Sequence, residues 1–278
     1  MTDVNPDQIG AGAPQPLEWR DGDMPYSTAF GDHFYCQTDG RLECSHVFLA
    51  GNGLSERWNG RHKFVIGELG FGTGLNFAET WRQWKLHRAA GQHLHFISFE
   101  LHPMRGEEIG RALSHWPEID AEREALTAAW PQTPADTVSL DLDAQTRLSV
   151  VCGRALEGVA AARPGFDAWY LDGFAPSRNS DMWSEELMRQ VAEKTVTGGT
   201  FATYAAAGFV RRNLIAAGFA VERRQGFAGK REMLCGTKAL TLDTTIAAEL
   251  SPISSSYAPA AVRPCRATAG SFLPAIPG

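Results

Sequence analysis

The sequence lacks the features that mark membrane, disulfide-stabilised and metal-binding proteins. No apolar run approaches the roughly 18 residues that cross a bilayer, and the polar start of the chain has no basic signal-peptide region. The five cysteines are odd in number and form no C-x-x-C pair, which argues against a disulfide framework and a zinc site. The eight histidines show no ligand spacing such as H-E-x-x-H. We therefore expect a cytoplasmic protein that binds no metal.

Several common catalytic and nucleotide-binding motifs are also missing. There is no G-x-S-x-G, so a serine hydrolase is not supported, and no G-x-x-x-x-G-K-[ST] phosphate loop. The net charge of -6 does not favour nucleic-acid binding in general, so any RNA contact would need a local basic patch. The length of 278 residues and the 44% hydrophobic content are those of a soluble globular protein. They suggest one large domain, alone or with an extension.

A glycine-rich turn is the most informative stretch that is present. A predicted strand, Lys63 to Leu69, runs into Gly70-Phe71-Gly72-Thr73-Gly74, and helical sequence follows. Glycines accept backbone angles closed to other residues and let a nucleotide approach the main chain closely. A dinucleotide fold would need G-x-G-x-x-G and hence glycine at position 75, where this chain has Leu75. The E-x-G-x-G-x-G spacing is typical of S-adenosylmethionine-dependent methyltransferases.

The rest of the chain alternates predicted strands with predicted helices. The predicted strands are 63–69, 94–101, 137–142, 147–152, 166–172, 199–204 (after a Gly-Gly turn), 220–225 and 233–237. The predicted helices are 75–90, 103–115, 121–130, 183–196 and 209–217. We expect a hairpin at 137–152 and a closing antiparallel pair at 220–237. The alternation predicts an α/β fold with a doubly wound, Rossmann-like, mostly parallel sheet covered on both faces.

Composition divides the chain into four expected segments. These are a disordered lead-in (1–16), an N-terminal cap over the ligand crevice (17–60), a methyltransferase domain (61–238) and a flexible tail (239–278). Within the cap, the runs 41–43 and 46–49 are typical of short strands or of one turn of helix. The many aromatic residues of the cap leave open a second interpretation, a structural flap that only covers a sheet edge.

Two acidic residues near the glycine turn are candidate ligands of the cofactor. Glu100 ends the second predicted strand, where open α/β sheets place a carboxylate that accepts hydrogen bonds from ribose hydroxyls. The alternative is an ordinary surface acid at a strand end. Glu68 precedes the glycines and would orient the turn or reach the methionine amino group. A purely structural role for Glu68 also remains open.

A second run of candidate residues is Tyr170 to Asn179, at the carboxyl end of the strand 166–172. In a doubly wound sheet this end borders the same crevice as the glycine turn. Asp172 could orient an attacking amine, stabilise the developing ammonium and take its proton. Phe174 and Pro176 would form a wall on which a flat base could stack. The alternative is an Asp-Gly turn with Phe174 in the core.

Basic residues supply candidate contacts to the phosphates of a substrate. They occur as the late pairs Arg211-Arg212, Arg223-Arg224 and Lys230-Arg231, and as Arg178 beside the Asp172 run. Basic pairs are more often solvated faces than binding sites. Arg178, Lys230 and Arg231 are the predicted substrate-binding cations.

Taken together, these runs resemble the methyltransferase domain of the MnmC family of bifunctional tRNA-modifying proteins, over about residues 17 to 238. The runs that carry the resemblance are Leu17-Glu18-Trp19, Asp21-Gly22-Asp23, Phe30-Gly31-Asp32, His46 to Leu49, Glu68 to Phe77, Asp172 to Pro176 and Lys230 to Leu234. The resemblance implies methyl transfer from S-adenosylmethionine to 5-aminomethyl-2-thiouridine at the tRNA wobble position. It implies that Asp172 is the catalytic acidic residue. It also implies that the cofactor is held by Glu68, Gly70, Phe71, Gly72, Thr73, Gly74, Asn76 and Glu100.

The chain departs from that family at two places. The family's second half, an FAD-dependent oxidase with its own G-x-G-x-x-G, does not occur in the sequence, so we expect a stand-alone methyltransferase, or a truncated copy that relies on another protein for the step that makes the aminomethyl precursor. Arg154 follows Gly153 where the family tends to carry an acid that could contact the adenine end of the cofactor. Two other interpretations stay open: a methyltransferase for another amine, on a small molecule or a protein, and a non-catalytic relic that binds tRNA or a partner.

Overall fold

The computed structural model describes residues 16–239, so the predicted tail and nearly all of the predicted lead-in lie outside the described residues. The described strands are β1 (Leu17–Arg20), β2 (Met24–Ser27), β3 (Asp32–His33), β4 (Lys63–Leu69), β5 (His93–Glu100), β6 (Thr137–Asp143), β7 (Thr146–Cys152), β8 (Phe166–Leu171), β9 (Thr195–Thr203), β10 (Phe219–Arg224) and β11 (Met233–Lys238). The described α-helices are α1 (Gly40–Glu43), α2 (Leu54–Arg57), α3 (Leu75–His87), α4 (Gly106–Leu113), α5 (Asp120–Ala129), α6 (Ala155–Ala161), α7 (Glu185–Lys194) and α8 (Gly208–Ala216). Cys44–Ala50 forms a π-helix, and Pro117–Ile119 and Ser180–Trp183 form 3-10 turns.

The main sheet has eight strands in the order β10-β11-β9-β8-β4-β5-β7-β6. The five central strands are parallel: β9, β8, β4, β5 and β7. Each edge is antiparallel: β6 pairs with β7, and β11 pairs with both β9 and β10. Strands buried by helices on both faces become continuously apolar, and every residue of β8 is buried. The predicted mostly parallel α/β sheet, the 137–152 hairpin and the closing antiparallel pair are confirmed.

One predicted turn is wrong. The Gly-Gly pair at 198–199 was expected to precede a strand that starts at 199, but it lies inside β9, which begins at Thr195 directly after α7. Gly198 has a φ of +72°, and the pairing of β8 with β9 shifts register between Phe166 and Ala168. A bulge absorbs glycines within a strand without ending it. The predicted helix 183–196 is also shorter in the structure. Because β9 begins at Thr195, α7 ends at Lys194.

The segment predicted as a cap also contributes to the core of the sheet. The runs 41–43 and 46–49 are helical, which is one of the two predicted alternatives. Phe48 stacks on Tyr170 of β8 with the ring centroids 5.0 Å apart, and Leu54 and Trp58 are buried in the same apolar cluster as β4. Residues 44–58 therefore pack as part of the sheet's covering layer, while the boundary at residue 60 stays a prediction.

The strand order brings three of the predicted site elements together. β8, β4 and β5 are neighbours, and their carboxyl ends carry Asp172, the glycine turn and Glu100. Such an edge is where open α/β sheets bind their ligands. Within residues 16–239, no helix is long and apolar enough to cross a membrane, and no group of three or more His, Cys, Asp or Glu side chains could hold a metal ion.

Candidate active site

The glycine turn follows β4 and passes between the ends of β5 and β8. Gly70, Gly72 and Gly74 have φ angles of +89°, +52° and +77°, a region that favours glycine. The Gly70 amide donates to the Phe99 carbonyl oxygen at 2.9 Å. A Cβ on Gly70 would lie 2.5 Å from the Asp172 carbonyl oxygen. The turn therefore depends on glycine at position 70 both for its backbone angle and for its close approach to the strand that carries Asp172.

Glu100 fixes the turn from the β5 side. It is buried, and its Oε2 accepts from the Gly72 amide at 2.9 Å while its Oε1 accepts from the His102 amide at 2.8 Å. Burial raises the pKa of this carboxyl group, and the backbone amides that it accepts from oppose that rise. Each carboxylate oxygen can accept more than one hydrogen bond. Glu100 can thus hold the turn and still accept from hydroxyls of a bound nucleoside.

Asp172, at the end of β8, is held by a side chain that follows the glycine turn. The Asn76 Nδ2 donates to Asp172 Oδ2 at 2.6 Å and to Glu68 Oε1 at 3.1 Å. Desolvation of the charged form and the nearby Glu43 raise the pKa of Asp172 to about 7, against the lowering effect of the Asn76 hydrogen bond. A carboxyl group with that pKa can change its protonation state at physiological pH.

Glu68 lies beneath this arrangement rather than in the cavity. Its side chain is fully buried, and its Oε2 accepts from the Ser98 hydroxyl at 2.7 Å. Burial raises the pKa of Glu68 well above its usual range. Its contact with Asn76 orients the amide that in turn holds Asp172. These contacts match the structural role predicted as the alternative for Glu68, and its contact with the cofactor stays a prediction.

Two side chains near Asp172, Glu43 and Tyr204, were not identified from the sequence, and the predicted cation Lys230 contacts both of them. Glu43, the last residue of α1, is buried and accepts from the Lys230 Nζ at 2.7 Å. That Nζ also lies 4.3 Å from the centroid of the Tyr204 ring, whose hydroxyl donates to the Gly173 carbonyl oxygen at 2.5 Å. Glu43 and Lys230 are 187 residues apart, so no local pattern could have joined them. The one available signal was an acidic residue directly before the apolar run that begins at Cys44.

An aromatic wall stands beside the carboxylates. Phe174 stacks on Phe30 at a centroid distance of 4.7 Å and meets Phe34 edge to face at 5.2 Å. Asp32 Oδ2 accepts from the Ala175 amide at 3.1 Å and ties the N-terminal segment to this wall. The Arg178 guanidinium lies close to Gly31, because a Cβ there would meet its Nη1 at 2.7 Å. The three phenylalanines give the cavity a flat apolar side.

These residues border one cavity of about 1060 Å³. Ten of the predicted site residues line it: Gly70, Phe71, Gly72, Thr73, Asn76, Glu100, Asp172, Phe174, Arg178 and Lys230. Four do not line it: Glu68, Gly74, Pro176 and Arg231. Gly74 instead is the N-cap residue of α3, and Arg231 is exposed. Arg154, at the start of α6, lines the cavity at the position where the family tends to carry an acid.

The donor and acceptor groups of the cavity suit a nucleoside cofactor that carries a positive charge. The cavity is at the upper end of the usual size for ligand sites, about 300–1,000 Å³, and so has room for a cofactor with a second reactant. One side offers a turn with glycine at positions 70 and 72 beside the buried Glu100. Another side offers the carboxyl groups of Asp172 and Glu43. The described residues therefore fit S-adenosylmethionine, which has ribose hydroxyls, an ammonium and a sulfonium.

Comparison with known proteins agrees with this chemistry. Residues 117–239 match the model of a family described as S-adenosyl-L-methionine-dependent methyltransferase. Together with the sequence relatives described next, this match confirms the predicted resemblance to the methyltransferase domain of the MnmC family. The family's description names the predicted cofactor and supports the predicted enzyme class, a methyltransferase.

Sequence relatives carry the name tRNA 5-methylaminomethyl-2-thiouridine biosynthesis bifunctional protein MnmC. The relative from Chromohalobacter salexigens is 42% identical over 237 residues, which are 83% of this chain and 34% of that protein. The relative from Azoarcus sp. strain BH72 is 42% identical over 224 residues, 80% of this chain and 35% of that protein. The chain thus spans about a third of the length of the curated relatives it matches.

A solved structure supports the fold independently. The crystal structure of MNMC2 from Aquifex aeolicus superposes with a TM-score of 0.64 at 21% sequence identity, and the match covers 84% of this chain and 73% of that chain. At this identity the likeness concerns the fold alone. It supports the predicted Rossmann-like, mostly parallel α/β fold.

Proposed function

We propose that this chain transfers a methyl group from S-adenosylmethionine to the 5-aminomethyl group of 5-aminomethyl-2-thiouridine at the wobble position of tRNA, which gives 5-methylaminomethyl-2-thiouridine. The observation that carries the proposal is Asp172, which lies between the glycine turn and the aromatic wall with a pKa of about 7. The name of the relatives supplies the nucleoside. In this proposal a separate protein makes the aminomethyl precursor, and the reaction takes place in the cytoplasm.

The cofactor would be held by the glycine turn and Glu100. Residues 70–73 line the cavity, and Glu100 offers acceptor capacity to ribose hydroxyls. Arg154 and Leu156, at the start of α6, line the same cavity. Bound there, S-adenosylmethionine supplies a methyl group that is already activated by the sulfonium, so that no metal is needed.

Asp172 would act as the general base for the amine. Its Oδ2 is occupied by Asn76, and Oδ1 has no hydrogen bond to another described residue, so it can accept one from the substrate's amine. The amine nitrogen forms the new C–N bond while the C–S bond breaks and leaves its electron pair on sulfur. The excess ammonium proton then passes to Asp172. A carboxylate at this point also stabilises the charge that develops on nitrogen.

The uracil base of the substrate and the adjoining phosphates would be held by the N-terminal cap and by the run Tyr170 to Asn179. Phe174, with Phe30 and Phe34 behind it, offers a stacking surface worth about 1–3 kcal/mol per base in single-stranded recognition. Arg178 is exposed at the rim of the cavity and could contact a phosphate. Lys230 is engaged by Glu43, which argues against the phosphate contact that the sequence suggested. Arg231 is exposed and remains a candidate for one.

The pH dependence of the reaction follows from Asp172. Because its pKa is raised to about 7, the group is protonated below that pH and cannot accept the proton. We expect kcat for methyl transfer to fall about tenfold per pH unit below pH ~7, where Asp172 becomes protonated. The check is single-turnover transfer of labelled methyl to tRNA between pH 5.5 and 8.5. A rate that stays constant from pH 5.5 to 7 would exclude Asp172 as the base.

The wobble-uridine proposal is tested by nucleoside analysis of tRNA from cells with and without this protein. We expect 5-methylaminomethyl-2-thiouridine to disappear in the cells that lack the protein and 5-aminomethyl-2-thiouridine to accumulate. Return of the gene should restore the methylated nucleoside, and return of an Asp172→Asn copy should not. An unchanged methylated fraction in the deleted cells would reject tRNA as the substrate.

A methyltransferase for another amine is the second candidate, because the net charge of -6 is unusual for a tRNA-binding protein. In that case the purified chain would bind S-adenosylmethionine and methylate a small-molecule or protein amine, but would leave tRNA unlabelled. A non-catalytic relic would differ from both. The presence of Arg154 in the cavity makes calorimetric titration with S-adenosylmethionine the direct test of it, since a relic need not bind the cofactor.

A further inference from the structure

The loop between β10 and β11, residues 225–232, is attached to the N-terminal segment beside Asp172. The His46 Nε2 lies 2.8 Å from the Gln225 carbonyl oxygen, and the rings of His46 and Phe227 are 6.0 Å apart. Lys230 completes the attachment through its ion pair with Glu43. Ala228 and Gly229 both have positive φ angles, +47° and +80°. This tight turn places the Lys230 amine over the Tyr204 ring and into the cavity lining.

The titratable groups that face Asp172 come from five elements. They are Glu43 of α1, Cys44 of the π-helix, Glu68 of β4, Tyr204 after β9 and Lys230 of the 225–232 loop. Glu100 of β5 lines the same cavity but is occupied by two backbone amides. Burial raises the pKa values of Cys44, Glu68 and Tyr204 well above their usual ranges, which favours their neutral forms. Lys230 is the one cation among these groups of the described chain.

The charges of Glu43 and Lys230 act on Asp172 in opposite directions. Glu43 raises the pKa of Asp172, and Lys230 lowers it. Through the 2.7 Å ion pair, Lys230 offsets part of the effect of Glu43, which is the larger of the two at Asp172. Without Lys230, a carboxylate would remain beside the group that must become negative before it can take a proton.

We propose that Lys230 is a positioning residue for methyl transfer: by pairing with Glu43 it offsets the negative charge beside Asp172 and favours the ionised form of Asp172 when the amine attacks. This inference rests on the proposed function, in which Asp172 accepts the amine's proton. Lys230 itself touches neither reactant. Its role differs from the phosphate contact suggested by its place in a basic pair.

Two substitutions break the same ion pair but change the charge at Asp172 in opposite senses. Lys230→Met leaves Glu43 uncompensated and should raise the pKa of Asp172 by about 0.5–1 pH unit, since Lys230 is partly exposed and its effect is partly screened. Glu43→Gln leaves Lys230 uncompensated and should lower that pKa by a larger amount, because Glu43 has the larger effect on Asp172. The pKa of the double variant should lie between those of the two single variants. If Lys230 served only to hold the loop, both single variants would act in the same direction.

The pKa is read directly by NMR titration of protein labelled with ¹³C at the aspartate carboxyl carbons. The Asp172 signal is assigned by its loss in Asp172→Asn. Lys230→Arg keeps the charge and should restore the wild-type titration, while Arg163→Met removes an exposed charge at the opposite end of β8 and should shift nothing. Thermal melts of all variants confirm that they are folded. Equal titration in wild type, Lys230→Met and Glu43→Gln would overturn the inference, as would shifts of the same sign.

The same variants separate a failure of this inference from a failure of the proposed function. With tRNA as methyl acceptor, the apparent pKa of Asp172 in the pH profile of kcat should be higher in Lys230→Met and lower in Glu43→Gln. The apparent pKa that belongs to the substrate's own amine should stay unchanged. If the wild-type protein transfers no methyl to tRNA, the proposed function fails, and the NMR titration still decides whether the ion pair controls Asp172. If the wild-type protein is active but its acid limb does not move in either variant, the inference alone fails.

Discussion

Asp172→Asn lowers kcat for methyl transfer about 10²- to 10⁴-fold, the range that a positioned general base contributes. Asparagine keeps the shape of the side chain but cannot take a proton. The affinity for S-adenosylmethionine should change less than about threefold, because the glycine turn and Glu100 are untouched. Single-turnover transfer of labelled methyl and calorimetric titration measure the two quantities. Asp141→Asn, the same change on the exposed edge strand β6, should leave both at the wild-type value.

Asp172→Asn should also be more stable than the wild type at high pH. A carboxyl group whose pKa is raised to about 7 in the folded state costs stability as the pH rises from its usual pKa towards 7, and the full cost is present above 7. Asparagine removes this cost, so the free energy of unfolding should rise by roughly 1–3 kcal/mol at pH 8 and little at pH 4. Lower stability of Asp172→Asn at pH 8 would contradict the raised pKa of Asp172.

Gly70→Ala should lower the affinity for S-adenosylmethionine by about 100-fold and the free energy of unfolding by about 3 kcal/mol. Two costs add at this position. The φ of +89° is unfavourable for alanine, and the new Cβ would lie 2.5 Å from the Asp172 carbonyl oxygen. Relief of that overlap must move the end of β8 away from the glycine turn. Calorimetry and chemical denaturation measure the two effects.

Gly91→Ala separates the two costs. Gly91 has a φ of +78°, close to that of Gly70, but a Cβ there would meet no atom within 4 Å. We expect this variant to lose only the backbone cost, about 1–2 kcal/mol, with unchanged affinity for S-adenosylmethionine. If Gly70→Ala behaves like Gly91→Ala, the close contact between the turn and Asp172 does not matter for the site.

The parts of the site that the sequence predicted are those with local signals. The glycine turn, Glu100 and Asp172 each stand at the end of a strand, where an apolar run stops and a polar or glycine residue follows. Parallel strands place such ends at one edge, so their meeting could be foreseen without a structure. The fold class followed from the same alternation of strands and helices.

The parts that could not be predicted depend on contacts between distant residues or on strand pairing. The ion pair between Glu43 and Lys230 links positions 187 residues apart. Glu68 sits next to the glycines in sequence, and only the packing of Ser98 and Asn76 around it shows that it is fully buried. The Gly-Gly pair at 198–199 has the composition of a turn, but its position inside β9 is fixed by pairing with β8.

The central claim is that this cavity methylates the amine of a wobble uridine. The most direct measurement incubates the purified chain with labelled S-adenosylmethionine and tRNA that carries 5-aminomethyl-2-thiouridine, then digests the tRNA and analyses its nucleosides by mass spectrometry. We predict that the label appears in 5-methylaminomethyl-2-thiouridine at the wobble position, and that Asp172→Asn abolishes nearly all of it. An unlabelled wobble nucleoside, under conditions in which calorimetry shows that the cofactor is bound, would contradict the claim.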